Sequence, residues 1–115
     1  MLILYKESKS IFLNQKTCLK HINQFINILK NLADVFKLEP KDIHIFYDSS
    51  SNSIAFNRDQ ALFFNLKFYL ELHDDECKIK PTINAMTYWF MMFCHELAHN
   101  FIHDHDSLHG VSIIF

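Results

Sequence analysis

Glycine is almost missing from this chain, which has one Gly and two Pro among its 115 residues. With so little glycine, phosphate-cradling loops of the P-loop and dinucleotide-binding kinds are excluded. Turns must rest instead on Asn, Asp and Ser. Cysteine is scarce as well: Cys18, Cys77 and Cys94 are odd in number, widely spaced and contain no CxxC pair. That argues against a disulfide framework and a cysteine zinc knuckle, and it points to a reducing compartment. Charge of one sign is also lacking. A net charge of −2 with neutral histidines leaves no electrostatic footprint for nucleic acid. The longest apolar run, Ala85 to Cys94 with Thr87 inside it, falls well short of the roughly 20 residues that span a bilayer. Met1 to Tyr5 is too short for a signal-peptide apolar region and is followed by Lys6 and Glu7. The expectation is a cytoplasmic or nuclear protein with no membrane and no nucleic-acid partner.

Hydrophobic side chains make up 50% of the residues, twelve of them Phe. That is ample for a core, and the length suits one domain over residues 1–115. From Thr17 to Lys37 the apolar residues Leu19, Ile22, Phe25, Ile26, Leu29, Leu32, Ala33 and Phe36 recur at three- and four-residue steps, which predicts an amphipathic helix. Glu39-Pro40 ends it. Strands are expected at Ile43–Tyr47, Ser53–Asn57 and Ala61–Phe64, with turns at 48–53 and 57–60. Asn65 is a candidate N-cap for a short helix to His73, with a continued strand as the alternative. Residues 73–80 read as a charged loop. Pro81-Thr82 then opens a helix to about Phe101, with Thr82 as N-cap. That helix is apolar nearly all round from Ile83 to Cys94, so it is expected to be buried and central. The fold class is α+β. The apolar end Val111–Phe115 fits a last element or the cut end of a longer polypeptide.

The chemistry lies at the end of the second long helix. His95-Glu96-Leu97-Ala98-His99 is an HExxH sequence. Histidines four apart share a helix face, with Cβ atoms about 5–6 Å apart. Both imidazoles can then reach one zinc at about 2.0–2.1 Å. Glu96 between them can take a proton from a metal-activated water. His105 is the expected third ligand, with His109 and His103 as alternatives. The spacing His95, His99, His105 equals that of metzincins, but Ile102 stands at their glycine and no methionine follows for a Met-turn. Those departures argue against a metzincin. His103 is also explained as a solvated helix-end histidine. A fourth ligand from His109 would close the site and make the zinc structural. Asp104 and Asp106 could hydrogen-bond a ligand imidazole or simply face water.

Other candidates have blander readings. Cys94 points about 100° away from His95 around the helix and reads as a core thiol. Tyr88 could line the site or belong to the core. His21, His44 and His73 are isolated and read as surface or core residues.

His95 to Asn100 followed by His105-Asp106 resembles the zincin metallopeptidases of the SprT-like and WLM kinds, which use HExxH with a later histidine and lack the metzincin glycine. That likeness covers about residues 95–106 and implies a minimal zincin-like fold, Zn2+ as cofactor and a peptide or protein substrate. An edge strand beside the motif helix would bind the substrate, for which Ala61–Phe64 is the candidate. A longer stretch is similar to the C-terminal part of large fungal sacsin-like proteins carrying an Hsp90-like ATPase region. It comprises Ile43–Asp48, Ile54–Asn57, Leu62–Leu66, Tyr88-Trp89 and Cys94–Asn100, within residues 43–109. This likeness implies a fragment or short paralogue of a larger, chaperone-like polypeptide.

The expected function is a zinc-dependent peptidase with Glu96 as general base. The alternative is a catalytically inactive, zinc-stabilised interaction module of a larger protein. A third possibility is a degenerate fragment that binds no metal.

Overall fold

A computed structural model describes the backbone of residues 2–5 and 16–102 and the side chains of residues 20–100. The elements are β1 (Leu2–Tyr5), α1 (Lys16–Val35), a 3-10 turn (Pro40–Asp42), β2 (Ile43–Tyr47), β3 (Ala55–Arg58), β4 (Ala61–Asn65), α2 (Leu66–Leu72) and α3 (Ile83–Ile102). The α+β class is therefore observed, with three helices on a small mixed sheet among the described residues. Strand order is β1-β2-β4-β3. β1 runs parallel to β2, β2 parallel to β4, and β3 antiparallel to β4.

The sheet holds one strand beyond those expected, and one expectation about it is corrected. Leu2–Tyr5, which no alternating pattern marks as a strand, pairs with β2 from Leu2 opposite His44 to Tyr5 opposite Tyr47. Ala61–Phe64 was the candidate edge strand, but β4 lies inside the sheet between β2 and β3. After β2 the chain crosses to the edge, forms β3, and returns through a tight hairpin to fill the gap. The edge strand beside α3 is β3.

Scarce glycine shows directly in the backbone. Lys37, Asp59 and Gln60 hold φ of 60°, 52° and 69°, a left-handed region that costs a non-glycine residue energy. Lys37 ends α1: its N–H donates to Asp34 O (3.1 Å) and Leu38 N–H to Ala33 O (2.8 Å). This is a Schellman closure with lysine where glycine is usual, and it stops the helix two residues before the expected Lys37. Asp59 and Gln60 are the two loop residues of the β3–β4 hairpin, between paired Arg58 and Ala61. Two consecutive positive φ values match the twist of a two-residue hairpin.

One face of the sheet, through Ile43, Ile45, Leu62 and Phe64, is buried under the helices. Phe25 of α1 stacks on Tyr69 of α2 at 4.8 Å and meets the edge of Trp89 of α3 at 4.8 Å. Phe93 packs between Phe64 (4.7 Å) and Phe36 (5.4 Å). Trp89 is fully buried, and its indole N–H donates to His73 Nδ1 at 3.1 Å. The helix that looked apolar all round is buried on one side only. Ala85, Trp89 and Phe93 are covered, whereas Ile83 is 86% and Phe90 37% exposed. Among the described residues a single helical layer covers the sheet, so the far side of α3 has no layer above it.

Both expected caps form. The Thr82 hydroxyl accepts from Ala85 N–H at 3.1 Å, the third residue of α3, and donates to the Glu76 carboxylate. Asn65, fully buried, caps α2 by accepting from Lys67 N–H at 3.1 Å. Its amide also donates to Asp48 O (3.2 Å) and Ser53 O (3.1 Å). A buried amide needs such partners, and these fasten both ends of the 48–53 connection.

Candidate metal centre

The last two turns of α3 gather the motif residues. Helical spacing puts His95 and His99 on one face, and both side chains are exposed. Their Nε2 atoms are 3.3 Å apart, and the rings stand at 89° to one another. Two nitrogens bound tetrahedrally to one zinc at about 2.0–2.1 Å would be separated by about 3.3 Å. The pair thus fits the distance a shared metal would impose. In a metal-free molecule the same contact holds as an N–H···N hydrogen bond between one neutral imidazole and the other.

Glu96 is turned inward and is only 6% exposed. Burial raises its carboxyl above the usual carboxylate range, and the neighbouring His99 and His95 pull it part of the way back. One ligand atom from each of His95, Glu96 and His99 can be chosen so that all lie within 4.8 Å of one another. Among the described residues this is the one group of three or more His, Cys, Asp or Glu side chains drawn together in this way. His103, His105 and His109 lie outside the described residues, as do Asp104 and Asp106.

A groove of about 320 Å³ runs beside the motif. Its walls are Ser53, Ile54 and Ala55 at the start of the edge strand, and Met92, His95 and Glu96 on α3. The Asn65 knot fixes this wall, because its amide holds Ser53 O while Asn65 N–H donates to Ile54 O at 2.8 Å. Its lining mixes apolar Ile54, Ala55 and Met92 with polar residues that include His95 and Glu96.

Asn57 is a functional candidate that sequence reasoning passed over as a turn residue. It is half-buried on β3. Its Nδ2 donates to the backbone carbonyl of Glu96 (3.3 Å) and to Asn100 Oδ1 (2.8 Å), while its Oδ1 accepts from Gln60 N–H (3.1 Å). The only local signal was its place two residues before a glycine-free loop, where an amide oxygen can brace the turn.

The remaining candidates separate from the site. His73 is buried, with Tyr88 against its ring at 4.9 Å. Burial pushes its pKa below the usual histidine value, and nearby Glu76 opposes that in part. His21 Nδ1 lies 2.7 Å from Asp74 Oδ1, and His44 packs on Phe63 at 4.8 Å. Tyr88 joins the Trp89 and His73 cluster. Cys94 is half-buried rather than a core thiol, and burial raises its pKa. No family model, curated protein or solved structure matches the chain.

Proposed function

We propose that this chain is a zinc-dependent peptidase with a minimal zincin-like fold. The single observation that carries this reading is the His95–His99 pair at metal-bridging distance with a buried carboxylate between them on the same helix. His95 and His99 would hold the ion, with a third ligand from His105 or its alternatives His109 and His103. Bound there, zinc would acidify a water in its open position and polarise a scissile carbonyl.

Glu96 supplies what the histidines cannot. A carboxylate in a dry pocket holds a proton more readily than one in water, which suits a group that must accept and then release one. Its carboxyl takes the proton from the attacking water and passes it to the leaving amine. Beside it, β3 offers an edge next to α3, so an extended substrate backbone can add to the sheet with one side chain in the groove. The substrate class is peptide or protein. Exposed Ile79 (96%) and Ile83 (86%) favour the second reading, an interaction module of a larger polypeptide in which the zinc only stabilises structure.

The discriminating experiment loads the full chain with zinc and measures cleavage of a mixture of unstructured peptides. Glu96→Gln is expected to lower the rate by about 10²–10⁴-fold while the metal content stays that of the wild type. Cleavage that persists in the variant would sink the general-base assignment. A metal-loaded wild type with no cleavage would leave the interaction module standing.

A further inference from the structure

We propose that Asn57 is a positioning residue. It ties the turn of α3 that carries Glu96 and His99 to the edge strand, and so sets the metal-binding histidines against the groove. The part of this inference that concerns metal rests on the zinc reading above; the tie itself does not.

The amide orientation is fixed by its partners. Gln60 N–H can only donate, so Oδ1 must face it; the Glu96 carbonyl can only accept, so Nδ2 must face that side. All three polar contacts are therefore consistent with one rotamer. Helix accounting does not call for the bond to Glu96. Because α3 continues to Ile102, the Glu96 carbonyl already has its helical partner in Asn100 N–H. The second donor ties one element to another rather than capping an orphan. It grips the backbone of the proposed base, and through Asn100 Oδ1 (2.8 Å) it grips the residue next to His99. At its other end the same side chain braces the hairpin whose Asp59 and Gln60 sit at positive φ. One amide thus connects a strained turn, the edge strand and the motif helix. Groups that orient ligands from behind shift metal affinity without touching the ion.

Asn57→Asp separates this role from simple support of the fold. The aspartate keeps an acceptor for Gln60 N–H but loses the donor to Glu96 O. An added carboxylate would by itself attract a cation, so weaker binding by this variant reports the broken tie to Glu96 O and Asn100 Oδ1 rather than the added charge. Thr82→Ala is the control, since it loosens the far end of the same helix. The full chain is titrated with Zn2+ alone against a chromophoric chelator, and amide exchange is followed in the metal-free protein. Asn57→Asp and Asn57→Ala should each weaken Zn2+ binding about tenfold. Both should also speed exchange of the amides of residues 97–100 about tenfold, with Thr82→Ala doing neither. An Asn57→Asp variant that binds Zn2+ as well as or better than wild type, or that leaves exchange at 97–100 unchanged, overturns the proposal. If the wild type takes up no Zn2+, the metal reading fails, and the exchange result alone decides whether the tie exists.

Discussion

The two halves of α3 do opposite things: the first is mostly apolar, and the second carries two histidines and a glutamate. From Ile83 to Phe93 the helix is capped by Thr82 and drives Ala85, Trp89 and Phe93 into the core. From Cys94 onward it exposes His95 and His99, buries the carboxyl of Glu96, and is held by a polar tie from Asn57. On its sheet-facing side the first half obeys the rule that apolar surface goes inward, while Ile83 and Phe90 stay exposed on the other. The second half violates it by placing an ionisable group inside, which costs desolvation energy that packing does not return. Such a violation is expected where chemistry takes precedence over stability. The lesson is that one helix can change at a single turn from a segment built for packing to one that exposes paired histidines beside a buried carboxyl.

Substitutions that strike only one half test this division. Trp89→Ala should give the largest change, about 3–5 kcal/mol of lost stability from cavity formation. That is a large share of the roughly 5–15 kcal/mol of a typical domain. The measurement is the urea unfolding midpoint. A loss below about 1 kcal/mol would mean the first half is not the core it looks to be. Thr82→Ala should cost about 1 kcal/mol through the lost cap, read by the same unfolding curves.

A smaller effect concerns His73, behind Trp89. Its Nδ1 accepts the indole N–H, so the imidazole is neutral in the folded chain, and burial holds its pKa below the ordinary histidine value of 6.5. The unfolded chain therefore binds the proton more readily. Stability contributed by this group is intact above the unfolded value and is lost as pH falls from 6.5 toward the lowered folded value. The drop in unfolding midpoint between about pH 7.5 and about pH 5.5 should shrink in His73→Asn. An undiminished drop in that variant would place the pH dependence elsewhere.

The smallest change is expected at Glu96. Replacing a buried carboxyl with its isosteric amide in the metal-free protein should leave the thermal midpoint unchanged or slightly higher. A clear fall would show that Glu96 belongs to the structural half.

The sequence made some of this plain and hid the rest for identifiable reasons. Apolar periodicity and the side-chain oxygens of Thr82 and Asn65 revealed the helices and their starts, because those signals are local. The His95–His99 pairing was legible because four-residue spacing on a helix fixes a shared face. Strand β1 was hidden, since four residues without alternation gain their meaning from pairing with β2, about forty residues on. Order within the sheet was hidden too: nothing local to Ala61–Asn65 says that it inserts between β2 and β3. Asn57 could not be recognised because its partners Glu96 and Asn100 are 39 and 43 residues away in the chain. The exposed side of α3 was misjudged because composition counts apolar residues, not the layers available to cover them.

The central claim is that His95 and His99 share one metal ion. Equilibrium dialysis of the full chain against Zn2+, followed by metal analysis, tests it most directly. One zinc per chain is expected in the wild type, with loss of binding in His95→Ala and in His99→Ala. A wild-type chain with no stoichiometric zinc, or variants that keep it, would contradict the account.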